Sequence, residues 1–144
     1  MSELSIHTNV TQPMLHACKV LNKAHQIGMR VAVLFDNEIA MDTFDRTLWT
    51  FNDACFIPHA TVDSPGAKRN KILLSTHVEK LVGAEILLLM CTTAPHNIDQ
   101  LYNDFPKIID IVGANDPFLT EGRKRFVVYR KAGITPVIHN IANR

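Results

Sequence analysis

The sequence predicts an α/β fold: a single domain over residues 1–144, with a mostly parallel central sheet and helices on both faces. Continuously apolar runs, such as 31–35 within the segment 29–35 and the run 86–91, are typical of strands that are buried on both faces. These runs alternate with helical segments, which is the pattern of a parallel sheet. A length of 144 residues suits one hydrophobic core. The predicted architecture is therefore Rossmann-like.

Seven segments are predicted as strands. They are residues 4–10, 29–35, 55–58, 72–75, 85–90, 108–112 and 135–141. Val, Ile and Leu dominate most of them, as expected for strands covered on both sides. The last is predicted as an edge strand. Between 55 and 85 the elements are short, so antiparallel pairing stays open there.

Two helices are predicted in the first half of the chain from their start and stop signals. Thr11 is the expected N-cap of the first helix, which has Pro13 in its first turn and ends at Gly28. Asp36 or Asn37 caps the second helix, because both follow an apolar strand directly.

The second half predicts a helical turn at 77–81, a short helix at 97–105 and one long helix. Asp116 is the expected cap of the long helix. Pro117 occupies its first position, where the missing N–H costs nothing, and Gly133 ends it.

The long helix carries a basic and aromatic segment, RKRFVVYRK, at residues 123–131. At about 100° per residue, one narrow arc of this helix holds Leu119, Phe126, Arg130 and Arg123. Lys124 projects from another side. Phe118, Gly122 and Tyr129 lie on the adjoining arc, which is predicted to face the core.

This half-apolar, half-cationic arc suits a ligand that is both acidic and apolar. The planar guanidinium of arginine can donate two parallel hydrogen bonds to one carboxylate. An acidic peptide that ends in a large hydrophobic residue has the matching chemistry. The alternative is a solvated helix face whose cations complement the helix dipole.

Composition argues against several classes of function. A net charge of +1 disfavours general nucleic-acid binding, and the basic loop at 68–71 has no aromatic neighbour for base stacking. Three widely separated cysteines argue against a disulfide framework and a structural zinc site. No apolar run reaches membrane length and no N-terminal signal is present, so a cytoplasmic protein is expected.

The sequence carries no recognised cofactor, metal or catalytic motif. Its six glycines are scattered singly, so neither GxGxxG nor GxxxxGK[ST] occurs. The alternative function is a small nucleotide-binding or hydrolytic enzyme that uses Asp36 or His96 near strand ends. For Asp36, capping of a helix is the competing role. Cys91 with His96 is the nearest approach to a thiol–imidazole pair, and a buried inert cysteine is the alternative.

A second unusual segment, residues 48–59, concentrates the only tryptophan with two phenylalanines and a proline. Rigid aromatic side chains are frequent at binding hot spots. Packing of Trp49 and Phe56 into the core between helix and sheet is the equal alternative.

The motifs of both segments, taken together, resemble one family. Asp45, Leu48-Trp49 and the FIPH of 56–59, followed by the RKRF of 123–126 and the YRKAG of 129–133, resemble the chi subunit of bacterial DNA polymerase III holoenzyme. The likeness covers nearly the whole chain. Individually the motifs are loose, but their order and spacing are specific.

The resemblance implies a non-catalytic accessory subunit of the clamp loader, without a cofactor and with no direct contact to nucleic acid. Members of the family bind the acidic C-terminal tail of single-stranded DNA-binding protein, whose last residue is phenylalanine. They also pair with the psi subunit, and so link the replisome to coated lagging-strand template. A monomer that forms a heterodimer with psi is therefore expected.

The resemblance also implies which residues form the two sites. The tail site falls on Val112, Arg123, Phe126 and Leu119. Phe126 stands where the family has a tyrosine, and Leu119 where a lysine is expected. Arg130 or Lys124 would compensate for that missing cation. The psi contact is expected at Phe56, Trp49, Ile57 and Pro58.

Overall fold

A computed structural model describes residues 2–50, 58–65, 67, 70–81 and 83–141. Its strands are β1 (Glu3–Val10), β2 (Val31–Phe35), β3 (Ala60–Thr61), β4 (Ile72–Ser75), β5 (Ile86–Met90), β6 (Lys107–Gly113) and β7 (Val137–Asn140). They form one seven-stranded sheet in the order β3-β4-β2-β5-β6-β1-β7, and every pairing in it is parallel. The predicted fold class is confirmed.

The helices of the described residues are α1 (Pro13–Gln26), α2 (Glu38–Thr50), α3 (Ile98–Asp104) and α4 (Phe118–Lys131), with a 3₁₀ turn at Val78–Lys80. Successive residues of β2 alternate between two cores. Val31 and Val33 pack in the cluster that contains the buried residues of α1 and α2. Ala32 and Leu34 pack in the cluster that contains those of α3 and α4. Because β2 is buried on both faces, its sequence is a continuous apolar run.

The structure decides two predictions about the strands. The short β3 pairs with β4 in parallel, so the antiparallel alternative between residues 55 and 85 is wrong. Most of the strand predicted at 55–58 lies outside the described residues. β7 is the edge strand that was predicted, and it pairs with β1.

The helix ends follow the predicted signals with one correction. The residue before α1 is Gln12, which makes no side-chain capping bond, so Thr11 is not the cap. The helix starts at Pro13, whose fixed φ suits a first turn, and this leaves Thr11 one residue too far away. Gly28 (φ 77°) and Gly133 (φ 82°) both adopt the left-handed conformation that ends helices.

Polar side chains hold the starts of α2 and α4. Asn37 Oδ1 accepts a hydrogen bond from the Ala40 backbone N–H at 2.8 Å. Asp116 Oδ1 accepts from the backbone N–H and the hydroxyl of Thr120, at 2.9 and 2.6 Å. These two bonds lower the pKa of the Asp116 carboxyl below its ordinary value. Asn37 is thus the cap of α2, and Asp116 fixes the first turn of α4.

None of the helices in the described part of the chain combines the length and the apolar character that crossing a membrane requires.

Candidate functional site

The position of α4 on the sheet is set by a buried ion pair. Arg125 donates from Nε to Asp110 Oδ2 and from Nη2 to Asp110 Oδ1, both at 2.9 Å. It also donates to the carbonyl oxygens of Thr92 at 3.0 Å and Ile111 at 3.1 Å. The Tyr129 hydroxyl donates to the same Asp110 carboxylate. The Arg125 side chain of α4 is thereby joined to β6 and to the second residue after β5.

Burial makes this network a strong constraint on geometry. Arg125 is 6% exposed, Asp110 1% and Tyr129 0%. Burial raises the pKa of Tyr129 and the neighbouring Asp110 carboxylate raises it further, so the phenol stays a hydrogen-bond donor. Burial alone would lower the pKa of the Arg125 guanidinium. Its hydrogen bonds and its attraction to Asp110 together have a larger, opposite effect, so the pKa of Arg125 is raised. A buried charged pair needs this full set of partners, which fixes the register of α4 against β6.

The core-facing arc predicted for α4 was partly wrong. Gly122 and Tyr129 are buried as expected, but Phe118 is 49% exposed. Phe118 is the first residue of α4 and lies against Gly113, the last residue of β6, so its ring is covered only in part. Arg125 takes the buried position instead. The sequence did contain a signal for the buried position of Arg125. Asp110 lies within the apolar run of β6, and a charge in a buried strand requires a partner.

Gly122 lets α4 approach β6 closely. A Cβ at this position would lie 2.5 Å from Cγ1 of Val112 and 2.7 Å from its Cγ2, which is closer than such atoms approach one another. The helix therefore rests directly on the Val112 side chain. In the sheet, β1 and then β7 follow β6.

An open groove of about 400 Å³ lies between α4 and residues of β6, β1 and β7. We call it the α4–β7 groove. The side chains of Leu119, Arg123, Phe126 and Val127 form its helical wall. Ile6, Thr8, Asn9, Val112 and Ile138 form its floor and far wall. Most of these side chains are apolar, and Arg123 supplies the positive charge.

The cations beside the α4–β7 groove are available to an outside ligand. Arg123, Lys124 and Arg130 are exposed. The guanidinium carbon of Arg130 lies 5.9 Å from the centre of the Phe126 ring, within cation–π range. Among the described residues, no carboxylate oxygen lies within 4.0 Å of any of these three cations. Arginine, aromatic ring and apolar floor thus form one surface.

The structure brings together four of the six residues named for the tail site. Val112, Leu119, Arg123 and Phe126 all line the α4–β7 groove. Arg130 borders it through the Phe126 ring. Lys124, an exposed residue of α4, is not among the groove residues.

Sequence reasoning missed the sheet side of the groove. Ile6 and Ile138 come from strands more than 100 residues apart that pair in parallel. No local pattern connects these two positions with α4. Val127 was within reach of the helical projection, since it lies four residues after Arg123, but it was not named.

The second predicted surface is described only in part. Phe56 and Ile57 lie outside the described residues, and Pro58 is half-buried. Trp49 is 48% exposed, and its ring centre lies 4.3 Å from that of His59. His59 is buried and bonds through Nε2 to Asp45 Oδ1 at 2.9 Å. Trp49 therefore does not fill the core, but lies half-exposed next to the buried imidazole of His59.

The polar residues considered for a catalytic role, Asp36, Cys91 and His96, have surroundings that favour a structural role for the first two. Asp36 Oδ2 accepts a hydrogen bond from the Thr92 backbone N–H at 2.6 Å. Cys91 is buried, and burial together with the Asp36 carboxylate raises the pKa of its thiol to about 12. A thiol of that pKa is almost wholly protonated at neutral pH and is a poor nucleophile. His96 is exposed in the loop before α3. Within the described ranges, no cluster of three or more His, Cys, Asp or Glu side chains could hold a metal ion.

Comparison with known proteins confirms the family resemblance that the sequence motifs indicated. No individual curated protein matches the chain. The sequence model of one family, described as DNA polymerase III chi subunit, HolC, matches residues 1–137. With a match over nearly all of its length, this chain belongs to the DNA polymerase III chi subunit family.

Proposed function

We propose that the protein binds the acidic C-terminal tail of single-stranded DNA-binding protein in the α4–β7 groove and pairs with the psi subunit through the surface around Trp49. Its family gives it an accessory role in DNA replication with DNA polymerase III. In the proposed role it is a non-catalytic part of the clamp loader in the cytoplasm. It is a monomer alone and a heterodimer with psi. It holds the replisome near coated lagging-strand template and touches nucleic acid only through its partner.

The observation that carries the tail-binding proposal is an open apolar groove beside cations that form no ion pair with any carboxylate of the described residues. A groove of about 400 Å³ is large enough to receive an aromatic side chain. Because no described carboxylate oxygen lies within 4.0 Å of Arg123 or Arg130, a ligand carboxylate need not displace one. Charge and apolar surface are thus complementary to an acidic peptide with an aromatic end.

Each side chain has a distinct part in the proposed complex. Arg123 binds the terminal carboxylate of the tail, since the guanidinium fork matches carboxylate geometry. The terminal ring packs against Val112, Leu119 and Phe126. Arg130, held over the Phe126 ring, binds an acidic side chain of the tail. In this chain Leu119 exchanges a cation for apolar contact, so Arg130 takes over part of the electrostatic attraction.

The proposed binding is of modest affinity and sensitive to salt. A disordered tail loses conformational entropy when it becomes ordered in the groove. Exposed ion pairs are screened over a Debye length of about 8 Å near physiological ionic strength. The apolar contacts survive added salt and therefore set specificity. A tether of this kind releases and rebinds repeatedly.

The deciding experiment is a pull-down of single-stranded DNA-binding protein by this protein. Intact partner should be retained, and partner that lacks its last few residues should not be. Retention of the truncated partner at the same level would exclude the tail as the ligand. Bare oligonucleotide serves as a further arm, because the proposal requires that it bind far more weakly than the coated form.

The first variants to test are Arg123→Ala and Phe126→Ala. Each should weaken binding of a tail peptide by about 1–3 kcal/mol, because one removes a charge-assisted bond and the other removes an aromatic wall. Isothermal titration against the peptide measures the change. Lys131→Ala and Val128→Ala are the matched controls, since both residues are exposed on α4 but do not line the groove. Unchanged affinity in both test variants would place the tail elsewhere.

A separate variant tests the psi surface. Trp49→Ala should weaken psi binding by about 2 kcal/mol, as expected for a half-exposed aromatic residue at a hot spot, and should leave tail binding unchanged. Co-purification and titration with psi measure the effect. Ile39→Ala is the control, because Ile39 is 80% exposed on the same helix. Equal loss of psi and tail binding in Trp49→Ala would contradict two separate surfaces.

A further inference from the structure

A second open groove lies between α3 and the segment that contains the 3₁₀ turn at Val78–Lys80. Its volume is about 450 Å³. We call it the α3 groove. No residue lines both this groove and the α4–β7 groove, so the two are separate surfaces of the protein.

One side of α3 forms a whole wall of the α3 groove. Asn97, Gln100, Leu101, Asp104 and Phe105 line it, and their spacing of three and four residues is that of one helix face. Seven residues separate Asn97 from Asp104, which is about 10 Å along the helix. A wall of that length accommodates about three residues of extended chain.

The floor of the α3 groove is apolar but narrow. Leu81, Leu101 and Phe105 are buried, so they present little open surface, and Val78 on the opposite wall is half-buried. Such a floor offers little contact to a large apolar side chain. It suits the methylene groups of lysine or arginine, because these residues bury an aliphatic stem and keep the charged end in water.

The rim of the α3 groove carries negative charge. Glu79 and Asp104 lie on opposite walls and are both exposed. Among the described residues that line the groove, none is lysine or arginine. The two lysines next to it in sequence pair elsewhere, Lys80 with Asp63 at 3.2 Å and Lys107 with Glu3 at 3.6 Å.

The protein supplies little positive charge of its own to these two carboxylates. Glu79 lies 3.5 Å from Nδ1 of His77, an exposed imidazole that carries a charge only when it is protonated. Asp104 forms no ion pair with a cation of the described residues. The rim is therefore open to cations of a ligand.

The carboxyl end of α3 adds to this negative potential. The last turn of α3 contains no basic residue, and Asp104 is its final residue. The last carbonyl groups of a helix carry partial negative charge, which cations complement. A carboxylate and carbonyl oxygens thus meet at the end of the groove where Asp104 lies.

From the narrow apolar floor and the acidic rim, we propose that the α3 groove binds a basic segment of a partner protein in extended form. Lysine or arginine side chains at alternate positions lay their stems on Leu101 and Phe105. Their charged ends bind Glu79 and Asp104. Asn97 precedes α3 without a side-chain capping bond, so its amide is available to a backbone group of the segment.

Three synthetic pentapeptides with acetylated and amidated ends test the proposed chemistry. The first is Lys-Ser-Lys-Ser-Lys. The second has 2,4-diaminobutyrate, a lysine shortened by two methylene groups, in place of each lysine, and the third has glutamate there. Titration at low ionic strength, followed by amide NMR shifts of the protein, should show binding of the first at residues 78–81 and 97–105. The second should bind about threefold more weakly, because it loses stem contact, and the third should not bind.

A pair of double variants locates the site. Glu79→Gln with Asp104→Asn should bind the lysine peptide about fivefold more weakly, the scale of two exposed ion pairs. Asp42→Asn with Asp99→Asn is the matched control, since both carboxylates are exposed and outside the groove and the change in net charge is the same. The control should bind as the native protein does.

Four results would overturn the proposal. They are no binding of the lysine peptide, shifts away from the α3 groove, equal weakening in both double variants, and equal binding of the lysine and diaminobutyrate peptides. The last would show attraction to acidic side chains without a role for the floor. A second copy of this chain is the competing occupant, since α4 is itself basic. Sedimentation velocity decides it: self-association of the native protein that the Glu79/Asp104 variant lacks would replace the partner protein with a second copy.

Discussion

Asp110→Ala should lower the free energy of unfolding by about 3–5 kcal/mol, because it leaves the buried Arg125 guanidinium without its counter-charge. Arg125 makes two of its four hydrogen bonds to Asp110, and Tyr129 makes another to the same carboxylate. Water cannot replace these partners without opening the contact between α4 and β6. Urea denaturation followed by circular dichroism measures the loss.

The matched control removes both charges at once. Asp110→Leu combined with Arg125→Met exchanges the ion pair for apolar side chains and should be more stable than either single variant. Asp116→Ala is a second control, since this carboxylate is exposed and only fixes the first turn of α4. If Asp110→Ala were no less stable than Asp116→Ala, the buried pair would not be what holds α4 on the sheet.

Gly122→Leu should destabilise the protein by about 3 kcal/mol or more, because a side chain at this position meets Val112. A single added carbon already lies 2.5 Å from Val112 Cγ1. Leucine adds three further carbons, so α4 must move away from β6. The α4–β7 groove is built on that contact, and tail binding should weaken as well. Denaturation and peptide titration measure the two effects.

A graded series separates the collision from helix propensity. Gly122→Ala should cost less, because alanine favours a helix by about 1 kcal/mol over glycine and so offsets part of the strain. Adding Val112→Ala should recover part of the stability lost in Gly122→Ala, since it removes both colliding methyl groups. Lys131→Leu, at an exposed site on α4, should have a small effect. No recovery in the double variant would show that the contact is not the cause.

These predictions depend on the different roles of the two sides of α4. Arg125 and Tyr129 face the sheet and fix the helix in place, while Arg123 and Phe126 face the groove. A rigid helix presents binding side chains in one arrangement, which lowers the entropic cost of ordering a flexible peptide against it. In the proposed complex, stability and tail recognition are therefore coupled through one element.

The sequence alone was enough to predict the fold class and the helical half of the groove. A continuous apolar run such as that of β2 is typical of a strand that is buried on both faces. Such burial indicates a parallel sheet that is covered by helices on both sides. The 3.6-residue period placed Leu119, Arg123 and Phe126 on one side of α4, and these three residues line the groove. Both results depend on local patterns, which a short stretch of sequence contains in full.

Only the tertiary structure showed which distant residues contact each side of these helices. The period of α4 could not show that Arg125 turns inward to Asp110, nor that Ile6 and Ile138 form the opposite side of the groove. It also could not decide between a buried Trp49 and one that lies half-exposed over His59. Local periodicity fixes which residues share a side of a helix or strand. The strand order of the sheet, set by burial and pairing over the whole chain, fixes which distant side chains lie across from them.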